Sequence, residues 1–200
     1  MWQKDRQTDR IPLAIAALEF NSRFTSLVKN GYISISIFHA DIRSLNSNHR
    51  KLCKFLVSIC VDFDIIILTE IWSSNISFYH NILPGYIFHY VLPPKGNVGG
   101  VGIFVNKAIE SSENLNYKLN LSDSAHVENI WLDIKKDNNK YIIGGIYRHP
   151  GQGIEEFSVE LEKCMSSISS QSCPYIIAGD INIDLCKTNS NNKTADCVSN

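Results

Sequence analysis

Residues 64–72, Asp-Ile-Ile-Ile-Leu-Thr-Glu-Ile-Trp, constrain the fold more than any other stretch. Four consecutive branched apolar residues, Ile65, Ile66, Ile67 and Leu68, leave no face for water. They predict a strand buried on both sides, which needs a layer above it and a layer below. The strand ends in Glu70, an acid set where the chain leaves the core. A second apolar run, Tyr175-Ile176-Ile177-Ala178, lies between Pro174 and Gly179 and reads as another buried strand. Asp180, Asn182 and Asp184 follow at its carboxyl end. Sheets gather chemistry at strand ends, because a rigid strand fixes the direction of a loop side chain. A carboxylate and an amide two residues apart converge on one oxygen-rich point. That point suits a hard divalent cation, a phosphate or an activated water. Gly-Asp-x-Asn is equally good turn chemistry, so this stretch does not decide the matter alone.

The remaining segments supply more strand ends. Tyr32-Ile33-Ser34-Ile35-Ser36-Ile37-Phe38 alternates apolar and small polar residues, as a strand does. It leads into His39-Ala40-Asp41-Ile42-Arg43-Ser44-Leu45, read as a loop with Asp41 and Arg43 at its mouth. A helix follows, capped by Asn46 or Ser47, with Leu52, Phe55, Leu56 and Ile59 at helical spacing. Residues 73–95 read as loop and short strand. Gly99-Gly100-Val101-Gly102-Ile103-Phe104-Val105 reads as a strand entered through glycines; it lacks the Lys-Ser/Thr of a phosphate loop. Residues 125–134 form a strand with Glu128, Ile130, Leu132 and Ile134 on one face and Trp131 and Asp133 on the other. Residues 137–140 turn the chain into a returning strand that ends in Tyr147-Arg148-His149-Pro150. Residues 154–170 read as a helix with Phe157, Leu161, Cys164, Met165 and Ile168 inward. This order predicts a layered α/β domain with a mixed sheet over residues 32–186. Residues 1–31 are a leader, helical or poorly ordered, and residues 187–200 a polar loop or disordered tail.

Composition narrows the class. Two hundred residues suffice for one domain with a sizeable core. A net charge of −1 announces no strongly basic surface, although a neutral total can hide a local basic face. No run is long enough for a membrane span, and the N-terminus lacks the basic end and apolar core of a secretory signal. The six cysteines form no CxxC pair, which argues against zinc. Cys53 and Cys60 read as buried thiols in a reducing, intracellular setting.

Four strand ends thus carry polar groups: Asp41 and Arg43, Glu70, Tyr147 and Arg148, and Asp180 and Asn182. Each alone is unremarkable. Together, the carboxylates suit Mg²⁺ or Mn²⁺, with water and phosphate filling the shell. Tyr147 and Arg148 are placed to hydrogen-bond a phosphate. Asp180, oriented by Asn182, is placed to position or deprotonate a water for in-line attack on phosphorus. His39 reads either as a base or as a hydrogen-bonded structural histidine.

Five segments carry a resemblance. They are residues 37–45, 66–72, 99–105, 145–150 and 179–184, in that order. Together they resemble the endonuclease/exonuclease/phosphatase superfamily, and within it the endonuclease domain of non-LTR (LINE-type) retrotransposon polyproteins. The resemblance implies a four-layered sandwich of two β-sheets flanked by helices, and Mg²⁺-dependent nicking of double-stranded DNA. By that resemblance Glu70 is the principal metal ligand, Asp41 helps bind metal, and Tyr147 contacts the scissile phosphate. Asp180 aligns or activates the water, and Asn182 holds the phosphate and the developing charge. Arg43 and Arg148 are expected to contact phosphate or DNA. A reverse transcriptase domain in the same polyprotein and a nuclear location are further implications.

Two departures qualify these expectations. The family's first loop usually carries Asn where this chain has Asp41, which adds negative charge beside Glu70. The family's Ser-Asp-His motif, source of its catalytic histidine, does not occur in this sequence. The last strands are therefore expected to be missing from this chain, and the endonuclease to be a fragment. The alternatives are a non-catalytic remnant with residual metal or nucleic-acid binding, or a phosphatase of the same superfamily.

Overall fold

A computed structural model describes residues 35–73, 79–93, 98–122, 127–150, 153–171 and 173–183, without the His80 side chain. The leader (1–31), the tail (187–200), Asp184, Cys186 and Cys197 lie outside the described residues.

Among the described residues, eight strands form two four-stranded sheets. The first contains β1 (Ile37–Asp41), β2 (Ile65–Thr69), β3 (Tyr86–Val91) and β4 (Val101–Asn106), in the order β1-β2-β4-β3. The second contains β5 (Glu110–Glu113), β6 (Val127–Lys136), β7 (Asn139–Arg148) and β8 (Tyr175–Asp180), in sequence order. Each sheet has one parallel pair, β1 with β2 and β7 with β8. Parallel neighbours need a crossover, and helices supply it. Helix α1 (Leu45–Ile59) joins the first pair and α2 (Ile154–Ser169) the second.

Burial sorts the layers. Ile65, Ile67, Ile103 and Val105 from one sheet pack with Ile130, Leu132, Ile143 and Ile176 from the other, so the sheets meet face to face. Alternate residues of the same strands point outward: Ile66, Leu68 and Phe104 pack with Leu45 and Leu52 of α1. Trp131, Ile142 and Ile146 pack with Phe157, Cys164 and Ile168 of α2. The result is the expected four-layered sandwich. All five residues of β2 are buried, as its unbroken apolar run required.

The structure moves several boundaries. β1 starts at Ile37 and continues through His39 to Asp41, because parallel pairing with β2 (Asp41 opposite Thr69) draws this polar segment into the ladder. Ser44, not Asn46 or Ser47, caps α1; its Oγ accepts from the Ser47 N–H at 3.2 Å. The hairpin turn is only Asp137-Asn138, both left-handed, as a two-residue turn requires. Cys60 is exposed where it ends α1 in a left-handed conformation, and Cys53 is half-buried, so neither is a fully buried thiol. No helix among the described residues is long and apolar enough to cross a membrane.

Candidate active site

The site lies where the carboxyl ends of β1, β2, β7 and β8 meet. Alternation carries Asp41 and Thr69 onto the face turned toward the second sheet, together with His39 one step below Asp41. On the facing sheet, register sets Glu128, Tyr147 and Asp180 abreast across β6, β7 and β8. The place of Asp180 depends on Gly179. A side chain there would fall 1.7 Å from the Ile146 carbonyl oxygen, so only glycine lets β8 close on β7.

Glu70 reaches this seam by breaking its strand's alternation. Had β2 continued, Glu70 would follow Ile66 and Leu68 toward α1. Its left-handed φ of 56° turns it instead. Such a conformation costs a non-glycine residue about 1–2 kcal/mol. Backbone bonds hold the turn: Ser44 N–H donates to the Glu70 carbonyl at 2.9 Å and Leu45 N–H to that of Ile71 at 2.9 Å. The same bonds dock the Asp41–Ser44 loop against Glu70.

Side chains then connect across the seam. The Tyr147 hydroxyl donates to Glu70 Oε1 at 3.3 Å. Arg43 Nε lies 3.7 Å from Glu70 Oε2, on a side chain that is 63% exposed at the rim. The Thr69 hydroxyl donates to Asp41 Oδ1. His39 Nε2 lies 3.1 Å from the same hydroxyl. Because that hydroxyl's proton goes to Asp41, it accepts from His39, which fixes the Nε2–H tautomer. Asp180 Oδ1 accepts from the Asn182 N–H at 2.9 Å, and Asn182 itself is left-handed.

The electrostatics are those of crowded acids. Burial raises the Glu70 pKa, and the charges of Asp41 and Asp180 add to it, against Arg43 and Tyr147. Burial also raises that of Asp180, with Asp41 adding and the Asn182 N–H opposing. Burial raises the Tyr147 phenol, reinforced by Glu70, so it stays a hydrogen-bond donor. Burial lowers His39 against the pull of Asp41 and Asp180. Acids held near one another, with the Arg43 counter-charge only at the exposed rim, form a hard-oxygen donor set that a divalent cation relieves. No group of three or more acidic, imidazole or thiol side chains among the described residues encloses a metal position by itself. One or two carboxylates, with water and phosphate completing the shell, is the arrangement Mg²⁺ tolerates best.

Asp41, Glu70, Tyr147 and Asp180 are thus brought together, with Arg43 at the rim. Arg148 is placed elsewhere. Alternation points it away from Tyr147, to the α2 side, where it is 4% exposed with its guanidinium over the Phe157 ring. Its Nε donates to the Ile181 carbonyl at 2.6 Å and a terminal nitrogen to that of Asn182 at 2.8 Å. Asn182 Nδ2 returns a bond to the Arg148 carbonyl at 2.7 Å. Arg148 therefore staples the loop after β8 rather than facing the cleft.

Two neighbours, Glu128 and His149, carry no role in the sequence reading. Glu128 is buried on the seam face, with Oε1 3.0 Å from His149 Nε2. An acid in register with Ile130, Leu132 and Ile134 was the only signal for it.

Two packed mixed sheets flanked by helices, with acids and a tyrosine at the strand ends, define the class: a sandwich fold shared by nucleases and phosphatases. Residues 30–195 match the profile of the Endonuclease/Exonuclease/phosphatase family, and the chain belongs to that family. Comparison with curated protein sequences returns no match. Solved structures resemble it in fold. The endonuclease domain of TRAS1, a telomere-specific non-LTR retrotransposon, superposes with a TM-score of 0.61 at 10% identity, covering 82% of this chain and 70% of that one. D. rerio TDP2 complexed with a single-strand DNA product gives 0.59 at 16% identity, covering 82% and 64%. A mannosyl-6-phosphatase from Bacteroides thetaiotaomicron gives 0.61 at 16% identity, covering 83% and 70%.

Proposed function

We propose that this chain is the endonuclease domain of a non-LTR retrotransposon, a Mg²⁺- or Mn²⁺-dependent hydrolase that nicks double-stranded DNA. The observation that carries the reading is the Glu70–Tyr147 contact across the sheet seam, with Asp41 and Asp180 close enough to shift the Glu70 pKa. Glu70 and Asp41 would hold the metal, which supplies charge neutralisation and Lewis-acid polarisation of the phosphate when bound. Tyr147, kept protonated, turns its single O–H from Glu70 to the scissile phosphate when DNA is bound. Asp180 takes the proton of the attacking water; burial, which raises its pKa, makes it a stronger base. Asn182 orients Asp180 through its backbone N–H. Attack on phosphorus forms a 5′ phosphate and breaks the bond to the 3′ oxygen, which takes a proton from solvent water, leaving a 3′ hydroxyl suited to prime reverse transcription by a partner domain in the nucleus.

The surface around the cleft favours DNA over a small phosphate ester. Helix α1 begins beside Glu70 and carries Arg50, Lys51 and Lys54, all exposed, with no Asp or Glu along its length. A basic stripe leading from the cleft fits a polyanion longer than one phosphate.

The test is nicking of supercoiled plasmid by the 200-residue chain with Mg²⁺ and with EDTA, beside Glu70→Ala. Mg²⁺-dependent nicking that is abolished in the variant is expected. Folded protein that leaves plasmid intact, or that turns over only small phosphate esters, would overturn the reading.

A further inference from the structure

The buried acid and imidazole behind Tyr147 invite a role. Glu128 stands directly opposite Tyr147 in the β6–β7 ladder and is 2% exposed. Burying a carboxylate this deeply is costly unless it is paired. One oxygen meets His149 Nε2 at 3.0 Å; the other has no hydrogen-bond partner. The His149 ring packs edge-on against the Tyr147 ring, with centroids 4.9 Å apart. An apolar residue at position 128 would satisfy the core more cheaply, so packing alone does not explain this acid.

The pair also touches the other half of the site. Gly99 is left-handed, and a Cβ built on it would lie 2.7 Å from His149 Nε2 and 3.2 Å from Glu128 Oε1. The glycine backbone therefore lies flush against the pair. Its carbonyl accepts from the Trp72 N–H at 2.9 Å, and the next carbonyl, of Gly100, from the Ile71 N–H at 3.4 Å. Those residues form the turn that aims Glu70. Glu128 and His149 thus stand behind Tyr147 directly and behind Glu70 through Gly99-Gly100.

We infer that Glu128 and His149 form a positioning pair that sets the Tyr147–Glu70 geometry from both sides of the seam. Glu128 fixes the imidazole, the imidazole fixes the phenol ring, and the pair provides the surface on which the Gly99-Gly100 backbone rests. The catalytic part of this inference rests on the nuclease reading above; the metal-binding part does not. Groups that orient others in this way are commonly worth about 10- to 100-fold in activity or metal affinity.

The experiment compares Glu128→Ala, Glu128→Gln, His149→Ala and His149→Gln with wild type, each checked for folding by thermal melting. Plasmid nicking is resolved into kcat and KM, and Mn²⁺ binding is measured by calorimetry without DNA. We expect kcat to fall about tenfold or more in both alanine variants, with KM within about threefold. Mn²⁺ affinity should weaken in both. Glu128→Gln should recover most of each loss, because an amide pairs with His149 in either tautomer. If the alanine variants do not fold, the glutamine variants carry the test: Glu128→Gln near wild type and His149→Gln impaired. Wild-type kcat and Mn²⁺ affinity in folded variants at both positions would overturn the inference. If wild type nicks nothing, the nuclease reading fails, and weakened Mn²⁺ binding in the variants still upholds the pair.

Discussion

The Tyr147 hydroxyl and Glu70 Oε1 lie 3.3 Å apart across the seam between the two sheets. Tyr147 comes from the end of β7 in one sheet and Glu70 from just past β2 in the other. The contact therefore reports how the two halves are registered. It also places an acid whose pKa is already raised, chiefly by burial, beside a donor that restrains the rise.

A first prediction follows from that raised pKa. Folding favours the protonated form of Glu70, so ionising it costs stability. The cost is absent below the unfolded-state pKa, grows as pH rises toward the folded value, and is complete above it. Glu70→Gln should therefore melt higher than wild type at neutral pH in EDTA. The gap should close toward about pH 3, where the glutamate is protonated in both states. Mg²⁺-dependent nicking should fall by about 100-fold or more in the same variant. Thermal melts across pH check the first part; an equal gap at every pH would contradict it.

Arg148 supplies the second prediction. Its guanidinium bonds two loop carbonyls and covers Phe157, so Lys cannot replace its fork. Arg148→Lys should lower kcat by loosening Asn182 and, through it, Asp180. Arg148→Met, which removes the charge, should leave unchanged the slope of DNA affinity against salt, since that slope counts phosphates neutralised by Lys or Arg. Binding titrations at several salt concentrations decide this; a shallower slope would put Arg148 on the DNA.

The same residue shows where sequence reading stops. β2 was legible because its apolar run admits only one environment. β8 was legible as a strand, but among the described residues it lies at the sheet edge with only Ile176 buried, not the fully buried strand its run suggests. β5, Glu-Ser-Ser-Glu, carries no strand signal; pairing with β6 makes it a strand. Tyr147 and Arg148 both looked aimed at phosphate, yet adjacent strand residues face opposite sides, and only one can line the cleft. Asp41, Glu70 and Asp180 were legible as acids at strand ends. The bond between Glu128 and His149 was not, because it depends on the register of a hairpin whose turn had not been fixed to two residues.

A third prediction concerns the end of the sandwich far from the site. Asp64 accepts from the Ser36 N–H at 2.8 Å, the Ser36 hydroxyl at 3.0 Å and Lys136 Nζ at 2.8 Å. It ties the start of the β1–β2 pair to the β6–β7 hairpin. Asp64→Ala leaves the partly buried Ser36 N–H without its acceptor and removes the carboxylate beside Lys136, and should cost about 1–3 kcal/mol. Asp64→Asn should cost less, since its side-chain oxygen still accepts from Ser36. Nicking per folded molecule should not change in either. Denaturant unfolding gives the stabilities, and Asp64→Ala at wild-type stability would show the tie to be idle.

The last prediction separates DNA from a small substrate. If Arg50, Lys51 and Lys54 track a DNA backbone, each displaces counterions that would otherwise sit on phosphates. Replacing all three with Ala should reduce the slope of log affinity against log salt by about 0.9 for each phosphate that the protein no longer neutralises. KM for plasmid should rise, while kcat holds, because none of the three touches Glu70, Tyr147 or Asp180. Turnover of a small phosphodiester should not change, since it reaches only the cleft. Stability should move little, as the three are exposed on α1. Equal reductions on plasmid and small ester would mean that the helix shapes the cleft rather than the DNA path.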